Sequence, residues 1–340
     1  MSQPEPHGPS PEHQLMQMTM GTFVSRMITL VANLGVADHM DGPTAIDRLA
    51  AATAMNTAAL YRVMRALSAV GIFAESAGQR FALTPVGDAL RTQHPRSLRS
   101  LCQMVNEPWT WVPWGVLDHS VKTAQPAFDH VYGMSMFEYF EQHPEESRRF
   151  GEAMTSMTVF ASAAVTNAYD FSTIAHLVDV GGSHGILLSN IIDKFPAVRG
   201  TVFDLPHVVE EARAQLASDR HRDHIALVAG NFFEVLPKAD GYIIKSVLHD
   251  WDDASCVKIL GNCRAAMEPG GRVLIVEGIV TDTPESVFAK LLDIQMLVVT
   301  PSGRERTVAE FDAILQAAGL ALTRVVTTQS PFAVLEACAA

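Results

Sequence analysis

One histidine and two glutamates stand where acid–base chemistry could be done. His249 follows the predicted strand Tyr242–Val247, within Val247-Leu248-His249-Asp250-Trp251. An imidazole titrates near neutrality, so past the end of a buried strand it suits a general base. Glu277 closes the next apolar run and could bond the imidazole N–H, fixing the tautomer and stabilising the imidazolium. The plainer reading of Glu277 is a solvated acid at a strand end. Glu305 lies in Gly303-Arg304-Glu305-Arg306-Thr307, where a surface ion pair with either arginine is the plainer reading.

A second set of residues suits ligand binding. Leu177-Val178-Asp179-Val180 runs into Gly181-Gly182-Ser183-His184-Gly185, and apolar residues at helical spacing follow. That pattern is a buried strand, a tight glycine turn and a helix start, whose N-terminus favours anionic groups. The spacing does not supply the Gly-x-Gly-x-x-Gly of dinucleotide-binding turns. Asp204 ends the next strand, where a carboxylate can accept from both hydroxyls of a ribose, or simply cap the following helix. Asn231-Phe232 ends a third strand. Phe232 could lie on the face of an adenine with Asn231 at its edge, although Gly230-Asn231 alone reads as a plain turn.

These positions require an α/β scaffold. Strands near Leu177–Val180, Thr201–Phe203, Ile225–Val228, Tyr242–Val247 and Arg272–Glu277 alternate with helices, among them Phe288–Val299 and Val308–Ala318. Two final strands near Leu322–Thr327 and Ala333–Ala337 complete a doubly wound, mostly parallel seven-stranded Rossmann-like sheet over 171–340. Ligands then bind at the carboxyl ends of the strands.

Upstream, 1–14 is polar and proline-rich and is expected to be a disordered tail. A methionine-rich apolar stretch over 15–40 covers more than one helix face, which suits burial in the chain's own core or against a second subunit. Helical patterns at Ala45–Ala52 and Thr57–Val70, then an alternating hairpin turning near Gly78, predict a winged-helix dimerisation domain over 15–100. Residues 101–170 are expected to form a helical linker rich in aromatics that walls a substrate pocket.

At 340 residues, 48% hydrophobic and 18% charged, the chain is expected to be a well-cored cytoplasmic protein. A net charge of −12 argues against a general nucleic-acid or anionic-membrane binder. No apolar run is long enough to span a bilayer. Four cysteines without a Cys-x-x-Cys pair suggest neither a disulfide framework nor a zinc site.

Taken together, Val178-Asp179-Val180-Gly181-Gly182, Phe203-Asp204-Leu205-Pro206, Gly230-Asn231-Phe232-Phe233, the His249-Asp250-Trp251 segment and Gly303–Thr307 resemble the two-domain S-adenosylmethionine-dependent O-methyltransferases of secondary metabolism. These are the plant caffeate and flavonoid enzymes and their bacterial polyketide-tailoring relatives, and the resemblance spans about 15–340. It implies an intertwined homodimer and His249 as the base for an acceptor hydroxyl, flanked by Glu277 and Glu305, without a metal. It implies S-adenosylmethionine contacts from Gly181, Asp204, Asn231, Phe232, Lys245 and Thr158. Met154, Asp250 and Met296 match substrate-wall positions, for a small hydroxylated aromatic. Two positions depart from the family pattern: Asn231 stands where aspartate is usual, and Ser183 where glycine is frequent. Three other readings remain: a magnesium enzyme using Asp250, Asp252 and Asp253, a family member with a non-methylating reaction, and a winged-helix regulator.

Overall fold

The computed structural model describes residues 10–217 and 220–340. The chain divides into two compact units: residues up to Trp111 together with Glu145–Ser156, and Val112–Pro144 together with Met157–Ala340.

In the first unit, helix α1 (Pro11–Asn33) starts at Ser10, whose hydroxyl accepts from the His13 N–H. Of the expected disordered tail, 1–9 lie outside the described residues, whereas 11–14 form the first turn of α1. Val31 and Ala32 of α1 are buried, but Leu15, Met16, Met18 and Phe23 stay exposed in the single chain. Helices α2 (Ile46–Thr53) and α3 (Thr57–Ala69) follow, the second capped by the Asn56 side chain accepting from the Ala59 N–H. Strands β1 (Thr44–Ala45), β2 (Phe73–Ser76) and β3 (Arg80–Leu83) form an antiparallel sheet in the order β1-β3-β2. This is the winged-helix arrangement, cored by Leu49, Leu60, Met64, Leu67, Phe73 and Phe81.

The second unit is built on β4 (His176–Val180), β5 (Arg199–Asp204), β6 (Ile225–Ala229), β7 (Ala239–Lys245), β8 (Met267–Gly278), β9 (Leu320–Thr327) and β10 (Phe332–Ala339). Their order is β6-β5-β4-β7-β8-β10-β9, with only β10 pairing antiparallel. The two-residue period of the strands sorts side chains between two cores. Val178, Val180, Tyr242 and Ile244 pack with Ile259 and Phe311. Leu177 and Ile243 pack with Leu188, Ile191 and Phe171 on the other face. Strand order reverses between β4 and β7, and at such a switch point the carboxyl ends open a crevice.

Helices α4 (Pro144–Ala168), α5 (Ile186–Lys194), α6 (Pro206–Leu216), α7 (Asp253–Ala266), α8 (Val287–Val299) and α9 (Val308–Ala317) complete the scaffold. The short helices Leu117–Thr123 and Ala127–Tyr132 pack on α8, where the Trp114 indole also donates to Gln295 at 2.6 Å. The stretch 101–170 is therefore shared between the two units. Among the described residues no helix is long and apolar enough to cross a membrane.

Candidate active site

His249 sits in a single 3₁₀ turn, Leu248–Asp250, directly past β7. The chain enters that turn through Ser246, held at φ 52°, a left-handed conformation that is uncommon for a residue with a side chain. Glu277, at the end of β8, accepts from the Val247 and Leu248 N–H groups with Oε1, at 3.0 and 3.1 Å. Its other oxygen stands 3.7 Å from the imidazole Nδ1. Glu305 Oε1 lies closer to Nδ1, at 2.7 Å. The Asp250 carboxylate is 3.7 Å from Nε2, on the opposite side of the ring.

The plainer readings of the two glutamates fail on burial. Glu277 is 0% exposed and Glu305 only 4%, so neither is a solvated acid or half of a surface ion pair. The neighbouring arginines turn elsewhere: Arg304 to Asp253 and Glu310, Arg306 to Asp253 and backbone carbonyls. Glu305 is fixed from both sides. Its N–H donates to Asp293 of α8 at 2.9 Å, and the following residue, Arg306, pairs its backbone with Ile279 just beyond β8. Gly303 packs so tightly that a Cβ there would stand 2.5 Å from the His249 carbonyl oxygen.

Burial alone would pull the imidazole pKa down, because it penalises the charged form. Glu277, Asp250 and the hydrogen-bonded Glu305 outweigh it and push His249 up to about 10. Burial raises Glu277, and the facing imidazolium pulls it part of the way back. Glu277 and Glu305 each keep one buried oxygen, Oε2, without a hydrogen-bond partner among the described residues. His249, Glu277 and Glu305 also offer three ligand atoms within 4.8 Å of one another, so a cation on the Nδ1 side would compete with the bond to Glu305. The run Asp250, Asp252, Asp253 does not converge on one point. Asp252 caps α7 through the Ser255 N–H, and Asp253 holds the two arginines.

The ligand-binding candidates lie along the same edge of the sheet. Gly181, at φ 73°, approaches Val247 so closely that a Cβ would meet its side chain at 2.8 Å. Ser183 follows at φ 48°. Asp204 accepts from the Ser183 N–H at 2.9 Å and the Leu205 N–H at 2.7 Å, so it braces the glycine turn and is not the cap of α6, which falls at Leu205. Burial raises the Asp204 pKa while those amides oppose the shift. Exposed Asn231 accepts from the Phe233 N–H at 2.9 Å, the local bond of a plain turn, which leaves its amide NH₂ to face a ligand. Half-buried Phe232 packs edge-on against Phe233 and Trp251. Lys245 lies 3.3 Å from the Ser246 hydroxyl; burial lowers its pKa, while Glu277 and Asp179 hold its charge. Asp179 is buried and pushed up to about 7.

Thr158 on α4 and buried Met296 on α8 belong to this second unit, whereas Met154 belongs to the first. The sequence pattern did not single out Arg306 or Asp293, the residues that anchor the segment carrying Glu305. The one signal was the paired arginines flanking Glu305, which read as surface charge.

A family model described as an O-methyltransferase domain matches residues 114–321, and one described as an O-methyltransferase dimerisation domain matches 16–93. The chain is 40% identical to the phenazine O-methyltransferase PhzM of Lysobacter antibioticus, over 95% of each chain. It is 36% identical to the 3-amino-4-hydroxybenzoate 4-O-methyltransferase of Streptomyces cremeus, over 92% of this chain and 86% of that one. Among solved structures it resembles CalO1, a methyltransferase of calicheamicin biosynthesis in an SAH-bound form. That match has a TM-score of 0.87 and 33% identity, covering 98% of this chain and 100% of the other.

Proposed function

The chain belongs to the O-methyltransferase family, and from that premise we propose that it methylates a phenolic hydroxyl of a small aromatic or polyketide-type metabolite, with S-adenosylmethionine as donor, His249 as general base and no metal. The acceptor class follows the compounds for which its relatives are named, a phenazine and 3-amino-4-hydroxybenzoate. The SAH-bound relative supports the donor. The dimerisation-domain match and the exposed apolar face of α1 support a homodimer.

The observation that carries the reading is the buried His249–Glu305 bond of 2.7 Å with Glu277 behind it. Bound S-adenosylmethionine supplies a methyl group on a positively charged sulfur and leaves as a neutral thioether. The residues fit it. Asp204 meets only backbone N–H donors among the described residues, so its oxygens retain lone pairs for a ribose, and Gly181 lets the backbone come close.

The chain's own task is the proton. A phenol has a pKa near 10, and His249 is pushed up to about 10. Proton transfer to Nε2 is therefore closer to balance than it would be with an ordinary histidine. Glu277 and Glu305 thus make the imidazole a stronger base and hold Nδ1–H, leaving Nε2 to take the proton. Only the neutral imidazole can take the proton, and with the pKa raised that fraction grows with pH. Activity is expected to climb through the alkaline range above the usual histidine pKa.

Mass spectrometry for methylated product across a phenolic library tests the acceptor class. His249→Ala should lower kcat by about 10²–10⁴-fold while calorimetry finds donor binding nearly intact, and EDTA should leave the wild-type rate unchanged. Full activity in His249→Ala would sink the assignment of the base, and loss of activity in EDTA would sink the metal-free reading.

A further inference from the structure

Arg306 is 0% exposed, an unusual state for an arginine, and nothing in the proton transfer uses it. Its guanidinium spans three groups that belong to one piece of chain. Nη1 donates to the Leu248 carbonyl at 2.9 Å, Nη2 to the Trp251 carbonyl at 2.7 Å, and Nε and Nη2 to Asp253 Oδ1 at 3.0 and 2.8 Å. Those carbonyls bracket His249. Glu277 holds the Val247 and Leu248 N–H groups on the amino side of the turn, and Arg306 is the charged counterpart at its carbonyls, to which the Cys256 thiol also donates. Arg306 is also the residue after Glu305, and its own carbonyl accepts from the Val280 N–H at 3.0 Å beyond β8.

We propose that Arg306 is a positioning residue for the methyl transfer. By joining the segment that carries Glu305 to the turn that carries His249, it sets the Nδ1–Glu305 contact and the aim of Nε2. The inference rests on His249 being the base. A planar guanidinium reaches two carbonyls and a carboxylate at once, because its five donors form a rigid fork. An ammonium keeps the charge but cannot span all three. Arg306→Lys therefore separates geometry from charge.

The test begins with wild-type protein and a phenolic acceptor, and turnover there that depends on His249 secures the underlying reading by itself. In Arg306→Lys, kcat should fall by about 10- to 100-fold, the scale of a misplacement near 1 Å, while the donor Kd stays within about twofold. The acidic limb of the pH–rate profile should move to lower pH, because a loosened Glu305 no longer stabilises the imidazolium. Asp253→Asn removes the charge that orients the fork and should change kcat and the limb in the same direction, less strongly. It carries the test if the lysine variant does not fold. Wild-type kcat and an unmoved limb in whichever variant folds would overturn the proposal. So would a loss of rate that merely follows melting temperature with the limb unmoved.

Discussion

The two ends of the crevice are held by different means. At the glycine turn and the β6 turn, local bonds stand beside backbone bonds to the neighbouring strands. Asn231 bonds an amide two residues on, Asp204 bonds its neighbour Leu205, and Ser183 takes a left-handed conformation. At His249 the side chains that face the ring and clamp its turn come from far along the chain: Glu277 binds the turn across 29 and 30 residues, Glu305 reaches the imidazole across 56, and Arg306 spans 58 to the Leu248 carbonyl. A donor site can tolerate adjustable, locally built turns, since it recognises a ligand by several separate contacts. A base must be aimed to within a fraction of an ångström, which buried, long-range bonds can enforce.

Single changes should hurt differently at the two ends. The largest binding effect should come from Asp204, whose carboxylate braces Ser183 from 21 residues away. Asp204→Asn keeps the shape but removes the charge that strengthens each bond it accepts. Donor affinity should weaken by about 10- to 100-fold, the worth of one charge-assisted hydrogen bond, read by calorimetry. The pH–rate profile at saturating donor should keep its position. An altered limb would mean that the two ends are coupled.

Glu277→Gln tests the base end of the crevice. The amide oxygen can still accept from Val247 and Leu248, so the turn stays anchored while the charge facing Nδ1 is lost. Glu277 is the leading contributor raising the His249 pKa, so losing it lets the imidazolium give up its proton more easily. The acidic limb should therefore move down, by about one pH unit, and the plateau rate should fall because the base is weaker. Donor affinity should stay near wild type, although Lys245 also draws on Glu277 for its charge. A limb that stays put or rises would contradict the role given to this carboxylate.

This contrast also explains what the sequence reveals. The strands of the second unit are legible because alternating side chains feed two cores, as Leu177 against Val178 and Ile243 against Ile244 show. The glycine turn, Asp204 and Asn231 are legible because a few consecutive residues define them. His249 and its two glutamates are legible as residue types at strand ends and, for Glu305, through the family resemblance. The burial of Arg306 is not legible, since an arginine beside a glutamate looks the same whether it faces water or the Leu248 carbonyl. Asp293 lies 12 residues from the Glu305 amide it holds, on a helix whose register only packing decides. The buried carboxylate of Glu336, bonded to Arg324 at 3.0 Å and to Tyr169, is likewise hidden within an apolar-looking strand.

The smallest effect is expected at Ser183. Its φ of 48° carries a penalty of about 1 kcal/mol that glycine would not bear. Glycine in turn raises the entropy of the unfolded chain, by about 0.4–1 kcal/mol in the opposite sense. Ser183→Gly should therefore leave the melting temperature within a few degrees of wild type, at roughly 2–4 °C per kcal/mol for a chain of a few hundred residues. The backbone N–H that meets Asp204 is present in either residue, so the brace survives the change. Donor affinity should shift by less than about fivefold, since 1.4 kcal/mol corresponds to tenfold, and kcat and its pH dependence should be untouched. If Ser183→Gly instead altered the limb of the pH–rate profile as Glu277→Gln does, the glycine turn would be acting on the base through Val247, which Gly181 touches. The local end of the crevice would then be part of the clamp.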